Sequence, residues 1–263
     1  MHKHITPEYH EKIMAELEGL EKAQDIRILF AIESGSRAWG FPSPDSDYDV
    51  RFVYVRPLES YLTLNPPRDV VELPIDGLLD INGWDIKKAL GLMLKSNPVL
   101  LEWLQSPIRY IWNQAVCGDL MALTQKTAYG RSCLHHYLSL GQRQRRIYIE
   151  GKSSVNLKKY FYVVRPAMAI RWLRMNPDIL LPMDFHGLKD GINLPDDLTA
   201  ELDILLEKKS RSKELGEAEP IKLIDQFLNA EFSWAEKAVK EASRNKADRR
   251  EDADKLFRKW LVQ

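Results

Sequence analysis

Asp47 and Asp49 flank a single tyrosine and lead straight into the apolar run Val50 to Val55. In a strand, alternate side chains share a face, so these two carboxylates would lie on one side, roughly 6.5–7 Å apart along the backbone. Paired carboxylates are the hard oxygen ligands that Mg²⁺ takes. Upstream, Gly35-Ser36 follows a second apolar run, Ile26 to Ile32, and ten residues separate it from Asp47. A turn of small residues offers backbone N–H groups and a hydroxyl to phosphate oxygens without a side-chain clash. Metal-assisted chemistry on a phosphate is the reaction these residues suit.

The elements that must position them are strands. Ile26–Ile32 and Val50–Val55 are apolar, of strand length, and bounded by Gly, Pro, Ser and Asp, so they read as two strands of one sheet. Leu78–Trp84 reads as another, with shorter candidates at Val70–Leu73 and Ile108–Trp112. Asp80 falls inside Leu78–Trp84, where an unpaired buried carboxylate would be costly and a metal would remove the cost. Asp80 is therefore the third acid expected at the site. Asp85 is the alternative, although it also suits the N-cap of the helix that follows. Between turn and carboxylates, Arg37 is a candidate phosphate contact. Trp39 reads either as a stacking or lid residue or as a plug on the sheet edge. Asp45, in a Ser-Pro-Asp-Ser stretch, reads as a turn or capping residue.

The string GSRAWGFPSPDSDYDVRFVYV resembles the signature of the polymerase-β-like nucleotidyltransferases. It is similar to a bacterial and phage branch of predicted nucleotidyltransferases that includes RNA-ligase-associated members. The resemblance continues through ELPIDGLLDINGWDIKKALGLMLKSNPVLLEWLQSP and KKYFYVVRPAMAIRW, about residues 25–190. It implies a mixed sheet with helices and transfer of a nucleotidyl group from an NTP such as ATP to a hydroxyl, with release of pyrophosphate. It further implies two Mg²⁺ (or Mn²⁺) ions ~3.5–4 Å apart, held by Asp47, Asp49 and Asp80. In such enzymes the third acid takes the acceptor proton or completes the second metal site. Gly35 and Ser36 would hold the β- and γ-phosphates.

Composition sets the frame. A chain of 263 residues with 44% apolar and 29% charged residues reads as a soluble globular protein of one or two domains. Two cysteines without metal-type spacing, Cys117 and Cys133, suit a reducing compartment. No run approaches the ~20 apolar residues of a membrane helix, and the polar N-terminus has no secretion segment, so no membrane contact and a cytoplasmic location are expected. The net charge is zero, yet Gly141–Met175 holds nine basic residues against Glu150 alone.

Thr6 and Pro7 open a first helix as N-cap and first residue. From Cys117 onward the chain reads as helical. A helix over Asn156–Met175, capped by Ser153 or Ser154, sets Lys158, Tyr162 and Arg165 on one face. That face reads either as a solvated basic surface or as a triphosphate cradle. In the second case Tyr162 positions a base or sugar, and Lys158 and Arg165 neutralise the leaving pyrophosphate. Leu198–Lys209, Ile221–Ala242 and Lys246–Trp260 read as further helices.

The expected fold is α/β (α+β): a nucleotidyltransferase domain over residues 1–113, then a helical domain over 114–263 that completes the nucleotide site. The expected function is metal-dependent nucleotidyl transfer, with RNA ends as one acceptor class. A catalytically silent nucleotide sensor or toxin-neutralising partner on the same fold is the alternative.

Overall fold

The computed structural model describes residues 4–95, 97–126, 130–211, 216–241 and 248–262, with backbone alone at 125–126 and 130–132. In chain order the elements are α1 (Pro7–Gln24), β1 (Arg27–Glu33), α2 (Gly35–Ala38), β2 (Tyr48–Val55), β3 (Val70–Glu72), β4 (Leu79–Asp85), α3 (Ile86–Leu94), α4 (Val99–Leu104), β5 (Arg109–Trp112), α5 (Gln114–Lys126), α6 (Gly130–Tyr148), β6 (Val155–Asn156), α7 (Leu157–Met175), α8 (Phe185–Asp190), α9 (Asp196–Arg211), β7 (Glu217–Ala218), α10 (Lys222–Glu241) and α11 (Arg250–Leu261). This is the expected mixed sheet with helices, and all five long-range strands fall where the apolar runs put them.

The chain divides into two compact units. The first comprises Met1–Ala38, Ser46–Thr127 and Lys246–Gln263; the second comprises Trp39–Asp45 and Ala128–Asn245. The expected division at residue 114 differs from this one. Helices α5 and α11 belong with the sheet, and the short piece Trp39–Asp45 belongs with the helices. Helical periodicity shows that a segment has an apolar face but not which partner covers it.

In the first unit the sheet runs β3-β4-β2-β1-β5. Strand β1 lies antiparallel to β2 and β5, β2 lies parallel to β4, and β3 lies antiparallel to β4. One sheet face, with Tyr48, Val50, Phe52 and Ile81, packs on Ile13, Leu17 and Leu20 of α1. The other, with Leu29, Val53 and Val55, packs on α3, α4, α5 and Ala253 and Trp260 of α11. The last helix is also pinned by polar contacts. Arg27 donates to the Trp260 carbonyl at 2.7 Å, and the Trp260 indole donates to Asp119 of α5 at 3.1 Å. Local signals act as read: Thr6 caps α1 by accepting from the Tyr9 N–H, and Asp85 caps α3 by accepting from the Lys87 N–H. Lys246 lies outside the described residues.

In the second unit α6, α7 and α10 pack together. The cap of α7 is Asn156, whose side chain accepts from the Lys158 N–H, rather than Ser153 or Ser154. The helix continues through Pro166. At the end of α9, Lys209 is buried. Its ammonium donates to the Phe41 carbonyl at 2.7 Å and lies 4.2 Å from the Phe41 ring centroid and 5.5 Å from that of Phe161. Burial lowers its pKa to about 7, with Lys158 adding to the shift and Asp45 opposing it. The unfolded chain therefore binds more protons at this residue than the folded one between about pH 7 and 10.5. The penalty is fully present below pH 7 and is relieved as pH rises through that window. Relative to Lys209→Met, the wild-type chain should gain stability between pH 6.5 and 9.5. Thermal or urea unfolding of both proteins across that range checks this, and a pH-independent difference would contradict it.

Candidate active site

The acids converge because of strand register. Asp49 on β2 stands directly opposite Asp80 on the parallel strand β4. Asp47 sits one residue before β2 and is exposed, while Tyr48 between the two acids is buried in the core. Asp49 and Asp80 are each about a third or less exposed at the side chain, 26% and 33%. Two half-buried carboxylates side by side repel each other and lose solvation. The pKa of Asp49 is accordingly raised by burial first, with Asp80 and Asp47 adding to the shift and Arg51 opposing it.

Arg51 is the residue that sequence reading passed over. It lies two positions after Asp49 and therefore on the same face of β2. Its Nη2 reaches Asp80 Oδ2 at 2.7 Å and Asp49 Oδ1 at 3.1 Å, and its Nη1 donates to the Val50 and Asp80 carbonyls, both at 3.0 Å. The cost expected for Asp80 inside a strand is thus relieved by a guanidinium. The signal was present in the sequence: a lone arginine between strand residues that are otherwise core.

The fit of a metal follows from the same geometry. Asp49 and Asp80 already converge on one cationic group, and the charge of Asp47 reaches Asp49. A donor set of carboxylates suits a hard divalent ion. With the guanidinium between them, no group of three His, Cys, Asp or Glu side chains among the described residues stands ready to enclose an ion. A metal at Asp49 and Asp80 would share these carboxylates with Arg51 or displace it. The alternative third acid, Asp85, is buried in its capping bond and accepts from the Tyr61 hydroxyl at 2.7 Å.

Gly35 and Ser36 open α2, a single helical turn beside Asp49. Gly35 has φ of +56°, a conformation side chains rarely adopt, and a Cβ placed there would stand 1.9 Å from Asp49 Oδ2. The glycine is thus required both by the backbone and by the carboxylate. Ser34 donates its N–H to the Asp49 carbonyl at 2.8 Å. Behind it, buried Glu33 accepts the Asp49 N–H at 2.9 Å and the Tyr110 hydroxyl at 2.5 Å. Desolvation pushes the Glu33 pKa up to about 8, although both hydrogen bonds pull it back.

Arg37 is turned inward, against the expectation of a phosphate contact. It donates to the Asp47, Ser46 and His4 carbonyls at 3.0, 2.7 and 2.7 Å and lies 3.7 Å from the Tyr48 ring centroid. Three carbonyls at the entry to β2 claim the guanidinium, so it shapes the segment that carries Asp47.

Within the second unit, α7 does not present one basic face. Lys158 pairs with Asp45 at 3.5 Å, so Asp45 is an ion-pair partner as well as a loop residue. Tyr162 is exposed, with the Lys159 ammonium 5.1 Å from its ring centroid. Arg165 is buried: it donates to the Met183 carbonyl at 3.0 Å and stacks over Trp39 at 4.6 Å. Trp39 is packed between aromatic neighbours and Arg165, so its place is in the helical unit rather than on a sheet edge.

Two outcomes follow. Gly35→Ala should lower stability by at least about 1 kcal/mol, because it adds backbone strain and displaces Asp49; denaturant unfolding measures the loss. Arg51→Met should destabilise by on the order of 1–2 kcal/mol at pH 8 and by less at pH 4. Without the cation that opposes it, the raised folded-state pKa of Asp49 rises further, so the folded state binds excess protons and loses stability as pH climbs from about 4 through the raised value. Added Mg²⁺ should restore more stability to this variant than to the wild type.

Residues 9–259 match the family described as RNA repair pathway DNA polymerase beta family. An uncharacterised protein of Bacillus subtilis (strain 168), YcgL, is 41% identical over 247 residues, covering 94% of each chain. A solved nucleotidyltransferase-like protein from Exiguobacterium sibiricum 255-15 aligns over 95% of this chain and 78% of its own, at 10% identity and a TM-score of 0.31. With almost its whole length matched, and with paired acids beside a Gly-Ser turn, the chain belongs to the RNA repair pathway DNA polymerase beta family, a polymerase-β-like nucleotidyltransferase group.

Proposed function

We propose that the protein is a divalent-metal-dependent nucleotidyltransferase that moves an NMP from an NTP to a hydroxyl acceptor, with RNA ends as the acceptor class. The observation that carries this reading is the register of β2 and β4, which opposes Asp49 to Asp80 beside the Gly35-Ser36 turn. The family's description as an RNA repair group supports the choice of acceptor.

In the reaction the acceptor oxygen bonds to the α-phosphorus, the bond from that phosphorus to the α–β bridging oxygen breaks, and pyrophosphate leaves. Asp47, Asp49 and Asp80 would hold Mg²⁺ or Mn²⁺, two ions in all, and that metal supplies charge neutralisation on the phosphates and activation of the acceptor oxygen. Asp80 is assigned the acceptor proton. Gly35 lets the chain approach the β- and γ-phosphates closely, and Ser36 offers a hydroxyl and an N–H to their oxygens. Arg51 holds the Asp49 and Asp80 carboxylates in line with each other.

A second reading rests on Arg51. Because a guanidinium already satisfies Asp49 and Asp80, the same site could bind nucleotide without transferring it, as a sensor or partner protein. Among the described residues no helix is long and apolar enough to cross a membrane. Cys117 and Cys133 are both buried and neither is in a disulfide, which supports a reducing, cytoplasmic setting.

The test is transfer from [α-³²P]NTP with Mg²⁺ or Mn²⁺ to RNA, protein and small-molecule acceptors offered in parallel. Label should appear on RNA and should fall on the order of 10³-fold or more in Asp47→Ala/Asp49→Ala, equivalent to about 4 kcal/mol of lost transition-state stabilisation. Label on another acceptor class would replace RNA. NTP binding that depends on the two acids, without transfer, would establish the sensor reading.

A further inference from the structure

Glu33 ends β1 and has no exposed surface. Burying a carboxylate is unfavourable unless each oxygen has a partner, and here each does. Oε1 accepts the Asp49 N–H at 2.9 Å, and Oε2 accepts the Tyr110 hydroxyl at 2.5 Å. The tyrosine is brought there by an irregularity in β5. Ala31 pairs with Ile111 and Ile32 with Arg109, so Tyr110 is an extra residue with no partner on β1. Such a bulge redirects a side chain at the expense of one ladder position, and this one turns Tyr110 toward Glu33. The backbone of Glu33 is fixed as well: its N–H donates to the Ile108 carbonyl at 3.0 Å, and its own carbonyl accepts the Ser106 hydroxyl at 2.7 Å.

All of these contacts bear on one residue. Asp49 has its N–H held by the Glu33 side chain, its carbonyl held by the Ser34 N–H, and its carboxylate lodged where Gly35 lacks a Cβ. We infer that Glu33, braced by the bulged Tyr110, is a positioning residue that fixes Asp49 for binding a divalent cation. The inference rests on the nucleotidyltransferase reading and adds to it the group that holds the Asp49 backbone. The competing role is purely structural, with Glu33 satisfying the last free N–H at the end of a strand pair. The two roles differ in what they move: a structural cap changes stability, whereas a positioning residue changes metal affinity and turnover in protein that is still folded.

The experiment uses the full chain carrying Glu33→Ala, Glu33→Gln or Tyr110→Phe. Mn²⁺ affinity is read by calorimetry and NTP transfer as kcat and KM, each well below the melting temperature of the variant. Glu33→Ala should weaken Mn²⁺ binding by about 10–100-fold, as loss of a residue supporting a metal ligand commonly does, and should lower kcat more than it raises KM for the NTP. Tyr110→Phe should have a smaller effect in the same direction. Glu33→Gln should stay close to wild type, since its amide oxygen accepts the Asp49 N–H and its amide nitrogen donates to the Tyr110 oxygen. If Glu33→Ala or Tyr110→Phe lowers the melting temperature but leaves Mn²⁺ affinity and kcat unchanged, Glu33 is a structural cap and the inference fails. If Glu33→Ala does not fold, Tyr110→Phe decides. Wild-type protein that neither binds Mn²⁺ nor transfers label would overturn the nucleotidyltransferase reading itself, and the Glu33 role with it. Failure confined to the variants overturns the Glu33 role alone.

Discussion

Two carboxylates on neighbouring strands, directly opposed and half withdrawn from water, repel each other unless a cation stands between them. The guanidinium of Arg51 answers that constraint here, with Asp80 at 2.7 Å and Asp49 at 3.1 Å. Much of the sheet unit follows from it. The parallel pairing of β2 with β4 sets the acids opposite each other. The alternation of β2 puts Asp49 and Arg51 on one face and Tyr48, Val50 and Phe52 in the core below. Farther along that first face, Val53 and Val55 return to the apolar cover of the helices. The same strand face therefore passes from polar site to packed core within a few residues.

The elements were legible because strand signals here are strong. Short apolar runs, interrupted by Gly, Pro and Asp, gave five strands at nearly their observed bounds, and Gly35 and Asp49, singled out by spacing, stand against each other in the fold. Other features depend on neighbours that spacing does not reveal. Arg51 in a strand reads as a solvated charge until Asp80 is known to stand across from it. Glu33 reads as the polar end of an apolar run until the bulge in β5 delivers Tyr110 to it. Arg37 and Arg165 have the right chemistry for phosphates, yet each is claimed by backbone carbonyls. An arginine carries up to five donors, so a buried loop with unpaired carbonyls can recruit it, and no sequence pattern marks such a loop.

Lys209 shows the same principle in a less favourable form. Its ammonium serves one carbonyl, that of Phe41, and otherwise lies against aromatic rings. A buried amine with a single full partner gives up hydration that ring contacts only partly replace. It secures the Trp39–Asp45 segment within the helical unit through that one donated hydrogen bond.

Helix α11 has a consequence for how the chain is made. It supplies Ala253 and Trp260 to the core beneath the sheet, although the long stretch Ala128–Asn245 of the helical unit separates it from α5 in the sequence. Synthesis delivers the sheet first and this helix much later, so the apolar faces of α3 and α5 that α11 packs against stay open while the intervening residues are added. Chains fold as segments emerge, and exposed apolar surface draws chaperones and proteases. Completion of α11 is therefore the step that withdraws that surface from them.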